Sequence, residues 1–343
     1  MKRASEHFKP MTYGLYLAAL IAAMLICVCV GSVAVPPGDV LTALWNSLWG
    51  LPIPEGIQTA IILSVRLPRV LCAMLVGASL SLCGAAMQGL LRNPLADGST
   101  LGVSSGASLG AVIAIALGVS VPGWPYGGTM LLAMGFAFLS LMMILSLAYA
   151  LDKTLSTHSI ILIGVIFSMF VSSLISLIIA FAGERVRSIT FWTMGSLAGS
   201  NMTYAGLLAL ALLLCGTVIL RRARELNAFA LGEDNARSVG VPVKRVKLTV
   251  LIAVSVLIGV CVSVGGTIGF VGLVVPHMAR MLVGPNHKRL LPSSLFSGAI
   301  FLLLADLIGR TVLSPIELPI GVVTSLIGSV LFVTIFYRAR RGG

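Results

Sequence analysis

Counting from one charged side chain to the next, the chain contains no Asp, Glu, Lys or Arg through positions 10–38, 70–91, 98–151, 154–183, 188–220, 248–279 and 318–337. A membrane helix needs about 20 apolar residues, so each gap is long enough to cross a bilayer. Only 10% of residues are charged and 58% are hydrophobic, where a soluble domain carries roughly 25% charge. These values exclude a soluble enzyme, a disordered chain and a small disulfide scaffold. The sequence predicts an all-α polytopic membrane protein.

The cysteines agree. Cys27, Cys29, Cys72, Cys83, Cys215 and Cys261 lie in apolar runs without a C-x-x-C pair, where a thiol acts as a small hydrophobe. Neither metal site nor disulfide is expected. Lys2, Arg3 and Lys9 precede an apolar run from Met11 to Val35. That run exceeds the usual core of a cleaved signal and reads as a retained first span.

Ten spans are expected, at roughly 11–35, 63–91, 98–118, 129–151, 157–182, 202–220, 246–264, 268–284, 291–311 and 318–337. The Gly- and Pro-rich stretch 118–128 divides the longest gap. Ser263 to Gly269 breaks another, leaving one short span of the kind tolerated only where protein or a cavity covers it. An even count puts both termini on one side. With that side cytoplasmic, 18 of the 23 Lys and Arg face inward, leaving Arg66, Arg69, Arg185, Arg187 and Arg310 outside. The +12 net charge therefore reports topology against membrane lipid, and no nucleic-acid partner is expected. Gly, Ala and Ser recur within spans, as in 77–86 and 102–111, and permit close helix packing.

Of the acids, only Asp306 falls within a span, and Arg310 sits four residues later on the same face. Such a pair supplies little for ion coupling, although an ion-coupled secondary transporter remains the alternative reading. A weak similarity between Gly89–Pro94 and Gly272–Pro276 hints at the repeats such carriers have. The chain has no G-x-x-x-x-G-K-[ST] nucleotide cradle and no H-E-x-x-H. Energy for active transport would come from another chain.

Three polar segments stand out. The loop from Arg221 to Lys247 holds a short helix at 231–240, with acids in its first turn, a Glu233–Arg237 pair and a glycine stop before Pro242. In Arg92-Asn-Pro-Leu-Ala-Asp97, Asn93 is pushed to extended geometry by Pro94, and Asp97 can cap the next helix. In Arg66-Leu-Pro-Arg69, Pro68 suits a first helical turn, putting both arginines at the positive end of a helix dipole. An acidic partner outside would account for cations placed there.

Together with Met87-Gln88, Leu101-Gly-Val-Ser-Ser-Gly-Ala107, Gly269-Phe-Val-Gly-Leu-Val-Val-Pro-His-Met-Ala-Arg280, Ala305-Asp306 and Glu317-Leu-Pro-Ile-Gly-Val322, these segments resemble the FecCD-type permease subunits of ABC importers for iron-siderophore, haem and vitamin B12. The likeness runs from about 11 to 337. It implies a single permease domain over 1–343 in a bacterial plasma (inner) membrane, working by alternating access. It also implies four partners: a second permease copy or close paralogue, two cytosolic ATPase subunits that bind ATP and Mg, and an outer substrate-binding protein. No cofactor and no enzymatic step are implied for this chain itself. By motif, Arg66, Arg69 and Arg310 resemble the cations that meet glutamates of the binding protein. Leu231, Gly232, Glu233, Asp234, Asn235, Ala236, Arg237, Ser238 and Gly240 resemble the ATPase-coupling helix, within a cytosolic segment of about 221–245. Asn93, Leu95 and Thr157, the last followed by His158, resemble the cytoplasmic gate, and His277 and Arg280 match the family pattern. An iron-siderophore is the expected substrate, with haem and cobalamin beside it.

Overall fold

The computed structural model describes residues 10–31, 35–52, 56–124, 126–153 and 156–341. Lys2, Arg3 and Lys9 lie outside the described residues. Among the described residues the regular elements are helices: α1 Pro10–Cys29, α2 Pro37–Trp49, α3 Ile57–Ala60, α4 Leu67–Leu91, α5 Val103–Leu117, α6 Gly127–Leu151, α7 Thr157–Phe181 and α8 Val186–Thr193. The second half comprises α9 Met202–Ala211, α10 Thr217–Arg221, α11 Ala223–Phe229, α12 Glu233–Ser238, α13 Val243–Gly265, α14 Val271–Val283, α15 His287–Thr311 and α16 Ile320–Arg341. Among the described residues, seven helices are long and apolar enough to cross a membrane. Three shorter apolar helices, Val103–Leu117, Val271–Val283 and Ile320–Ile335, occupy the third, eighth and tenth expected spans.

Two expectations change in the first third. Pro68 does not begin a helix; α3, a π-turn at Ile61–Arg66 and α4 form one continuous rod, Gln58–Leu91. Proline has no N–H to give the ladder, and the turn before it widens so that Leu67 N–H reaches the carbonyl of Ile62. Arg66 and Arg69 thus sit inside a helix rather than at its dipole end. The second difference is α2, with exposed Leu41, Trp45, Leu48 and Trp49, in a stretch left outside the ten expected spans. It closes on Gly50, whose left-handed φ of 65° lets its N–H reach Asn46. The amphipathic α8 was not expected either.

α4 is the central post. It packs on α15, α14, α13 and α9, while α5 packs on α6 and α7. Small residues make these crossings possible, as where Gly77 meets the backbone of Gly298. The expected break at 263–269 is present: α13 ends at Gly265, Gly266 turns with φ 69°, and α14 begins after Phe270. Its backbone is not left bare. Ser196 N–H donates to the Gly265 carbonyl at 2.9 Å and Ile320 N–H to that of Gly195 at 3.1 Å, as an interrupted helix inside a membrane requires.

Candidate functional site

α4 carries one candidate site at each end. At its beginning the three expected arginines come together, but they are turned inward. Arg66 is 5% exposed and donates to the carbonyls of Val28 at 2.8 Å and Cys29 at 2.9 Å, and Arg310, also 5% exposed, donates to that of Cys27. Two cations therefore cap the unpaired carbonyls at the end of α1, where the helix dipole favours positive charge.

Arg69 lies between two carboxylates. Its Nη2 is 2.9 Å from Asp306 Oδ1, and its Nη1 is 2.9 Å from Glu317 Oε2. Asp306 is 2% exposed, whereas Glu317 is 44% exposed. The expected Asp306–Arg310 pair is present at 3.5 Å, but it is the longer contact. A buried carboxylate needs more than one charge-assisted partner to offset its desolvation, and Arg69 supplies the closer one from another helix. The cluster thus welds α1, α4 and α15, with only its Glu317 edge open.

At the other end α4 stops at Arg92, which takes a left-handed φ of 50°. Asn93 Oδ1 accepts from Leu95 N–H at 2.9 Å, an Asx turn set up by Pro94. Asn93, Thr157 and His158 then line one cleft of about 510 Å³ with Arg92, Ile161, Leu162 and Val165. Leu95 is 52% exposed beside it and does not line it. Two segments some 60 positions apart in sequence are therefore brought together.

The segment expected to couple to an ATPase folds as α11 and α12, joined by residues 230–232. The helix expected over 231–240 is shorter, Glu233–Ser238, and stops at Gly240 with φ 87°. Its expected Glu233–Arg237 pair does not form. Glu233 turns inward, with Oε1 2.6 Å from Lys247 Nζ and 3.2 Å from Thr157 Oγ1. Lys247 has no exposed side chain, and a buried ammonium demands a counter-charge. Arg237 pairs instead with the exposed Asp234 at 3.3 Å. Asn235 Nδ2 donates to the Leu231 carbonyl, Ala236 is buried, and Leu231 and Val239 are each 70% exposed. The α12 surface is thus an apolar rim around charges.

Between the two ends lies a cavity of about 430 Å³ whose wall is rich in hydroxyls: Ser104, Ser105, Ser108, Ser172, Ser176, Thr193 and Thr267. Among the described residues, Asp97 is its only charged lining residue. Spacing alone gave no signal for it, because its wall joins five separate segments. Arg280 donates to Gln88 Oε1 at 3.0 Å, and Gln88 Nε2 donates to the Leu273 carbonyl at 3.0 Å, fixing α14 against α4. Asn227 Oδ1, also unforeseen, accepts from His287 N–H at 2.8 Å and ties α11 to α15. Among the described residues no group of His, Cys, Asp and Glu is placed to hold a metal.

Comparison with known proteins matches residues 19–338 to the FecCD transport family. The chain is 44% identical over 329 residues to an uncharacterized ABC transporter permease protein of Bacillus subtilis, YvrB, covering 94% of this chain and 92% of that one. It is 37% identical to the molybdate import system permease protein MolB of Haemophilus influenzae, covering 98% of each. It is also 37% identical to the vitamin B12 import system permease protein BtuC of Klebsiella pneumoniae, covering 96% and 94%. A solved inward-facing metal-chelate type ABC transporter superposes with a TM-score of 0.83 at 33% identity, over 96% of this chain and 100% of that one. These likenesses set aside the ion-coupled alternative. They place the chain in the FecCD transport family, as the multi-pass permease subunit of an ABC importer in a bacterial inner membrane.

Proposed function

We propose that this permease moves a bulky metal chelate, of the iron-siderophore class with haem and cobalamin as neighbours, from a binding protein into the cytoplasm. The observation that carries the reading is the hydroxyl-lined cavity. Ser108, Ser176 and Thr193 give their protons to backbone carbonyls at 2.9–3.0 Å, so their oxygens keep lone pairs for use as acceptors. With Asp97 as the only charged lining residue among those described, that wall offers no cation to a free oxyanion such as molybdate. It suits a neutral or donor-bearing complex.

In this reading the termini and α12 are cytoplasmic, a second copy or paralogue completes the pathway, and two ATPase subunits bind ATP and Mg. The binding protein docks at the arginine end. There Arg69 is the residue an incoming glutamate reaches first, because its exposed partner Glu317 is held by an ion pair of little strength. Arg66 and Arg310 hold the rim. Leu231 and Val239 give α12 its contact with the ATPase, and the cleft of Asn93 and Thr157, with Leu95 beside it, is the inner gate. The complete importer in liposomes, supplied with loaded binding protein, should take up a radiolabelled ferric siderophore or cobalamin and not molybdate. Molybdate uptake by that complex would overturn the substrate class.

A further inference from the structure

One carboxylate oxygen joins the coupling segment to both the gate and the body of the bundle. Glu233 Oε1 accepts from Thr157 Oγ1, the first residue of α7, at 3.2 Å and pairs with Lys247 Nζ, in the second turn of α13, at 2.6 Å. We propose that Glu233 is the positioning residue of a latch: it rides with Lys247 as α12 moves, and its hydrogen bond to Thr157 holds or releases the first turn of α7. This rests on the reading of α12 as the ATPase contact and of Thr157 as part of the gate.

The two contacts differ in strength. Lys247 is fully buried, and taking away a carboxylate paired with a buried ammonium is strongly destabilising. Glu233 therefore cannot swing into solvent while α13 stays packed. The Thr157 contact is a single hydroxyl bond at the edge of an open cleft, and a bond of this kind is readily exchanged for water. Under load the Thr157 contact is the one that opens.

The surroundings fit a small moving part on a fixed base. α11 is pinned to α15 through Asn227 and the backbone N–H of His287. α13 is locked at its far end where Gly265 accepts from Ser196 N–H. α12 spans only Glu233–Ser238, and beside Glu233 its buried residue is Ala236. A push on the exposed Leu231 and Val239 consequently bears on Glu233. The α7 helix that Thr157 starts also carries Ser172 and Ser176 of the cavity wall, so releasing its first turn changes the pathway directly.

The test uses the complete importer in liposomes, with spin labels at His158→Cys on α7 and Met281→Cys on α14, both exposed positions. Thr157→Val should broaden the label-to-label distance in the nucleotide-free complex and lower uptake per ATP hydrolysed about tenfold. Thr157→Ser, which keeps the hydroxyl, should restore both. Because loss of Glu233 alone takes a carboxylate from the buried Lys247, the paired variant Glu233→Gln with Lys247→Met serves as the folded partner test: Gln still offers an oxygen to Thr157 and should keep the distance narrow. Unchanged distance and uptake ratio in Thr157→Val, or equal broadening in Thr157→Ser, would overturn the latch. Cross-linking of Val239→Cys to the ATPase separates the two levels. If that cross-link forms and Thr157→Val is silent, the latch alone fails; if it does not form, the α12 contact fails and the latch with it.

Discussion

Gly84 of α4 lies against the carbonyl of Gly272 at the start of α14, so closely that a methyl group at 84 would overlap that oxygen. The obstacle is backbone on both sides and cannot rotate away. Gly84→Ala should destabilise the permease by about 2–3 kcal/mol, read as a lowered unfolding temperature in detergent. Gly135→Ala is the control, because nothing lies within 4 Å of its added methyl. Equal behaviour of the two variants would mean that α4 and α14 can separate without loss.

Asp306 is buried against Arg69 and Arg310, whereas Glu317 touches only the outer side of Arg69. Asp306→Asn should cost about 3 kcal/mol, since it removes the buried carboxylate charge that two guanidinium groups share. Glu317→Gln should stay within about 1 kcal/mol, as exposed pairs do. Denaturant midpoints of the two variants check the order. Transport by Asp306→Asn should keep the wild-type dependence on pH; a changed profile would mean that Asp306 exchanges protons during the cycle.

The spans were legible because charge-free runs of that length have only one stable environment, and the break before the short eighth span because glycines clustered at 265, 266 and 269 favour a turn. α2 escaped notice because an amphipathic helix of 13 residues lacks the length of a span and the charge of a loop. The partners of the charged residues were legible only within one helix. Asp306 with Arg310 could be seen at i,i+4, but Arg69 reaches Asp306 from 237 positions away. Glu233 was assigned to Arg237 by the same local rule and belongs to Lys247, because burial of Lys247 outweighs a surface pair of a few tenths of a kcal/mol.

The α12 surface separates contact from fold. Arg237 is 53% exposed and its partner Asp234 is 97% exposed, so Arg237→Ala should change stability by less than about 0.5 kcal/mol. Leu231→Glu, at a position 70% exposed, should leave the permease folded but weaken ATPase association about tenfold or more by placing a charge in an apolar contact. Co-purification of the ATPase with each variant is the measurement. Full association of Leu231→Glu would move the ATPase contact elsewhere.

The cations proposed for docking are not equivalent, and charge reversal should show it. Arg66 caps the end of α1 while 5% exposed, so Arg66→Glu should lose folded permease before any effect on docking can be read. Arg69 reaches the surface beside Glu317. Arg69→Gln should weaken capture of the loaded binding protein, and Glu317→Gln, by removing a competing carboxylate, should tighten it. Both effects should shrink as salt rises from low to physiological strength, where charges are screened beyond about 8 Å. Affinity of the binding protein for the permease complex in nanodiscs, measured at two salt concentrations, decides the matter. Weaker binding in Glu317→Gln would make the acid, rather than Arg69, the group the partner uses.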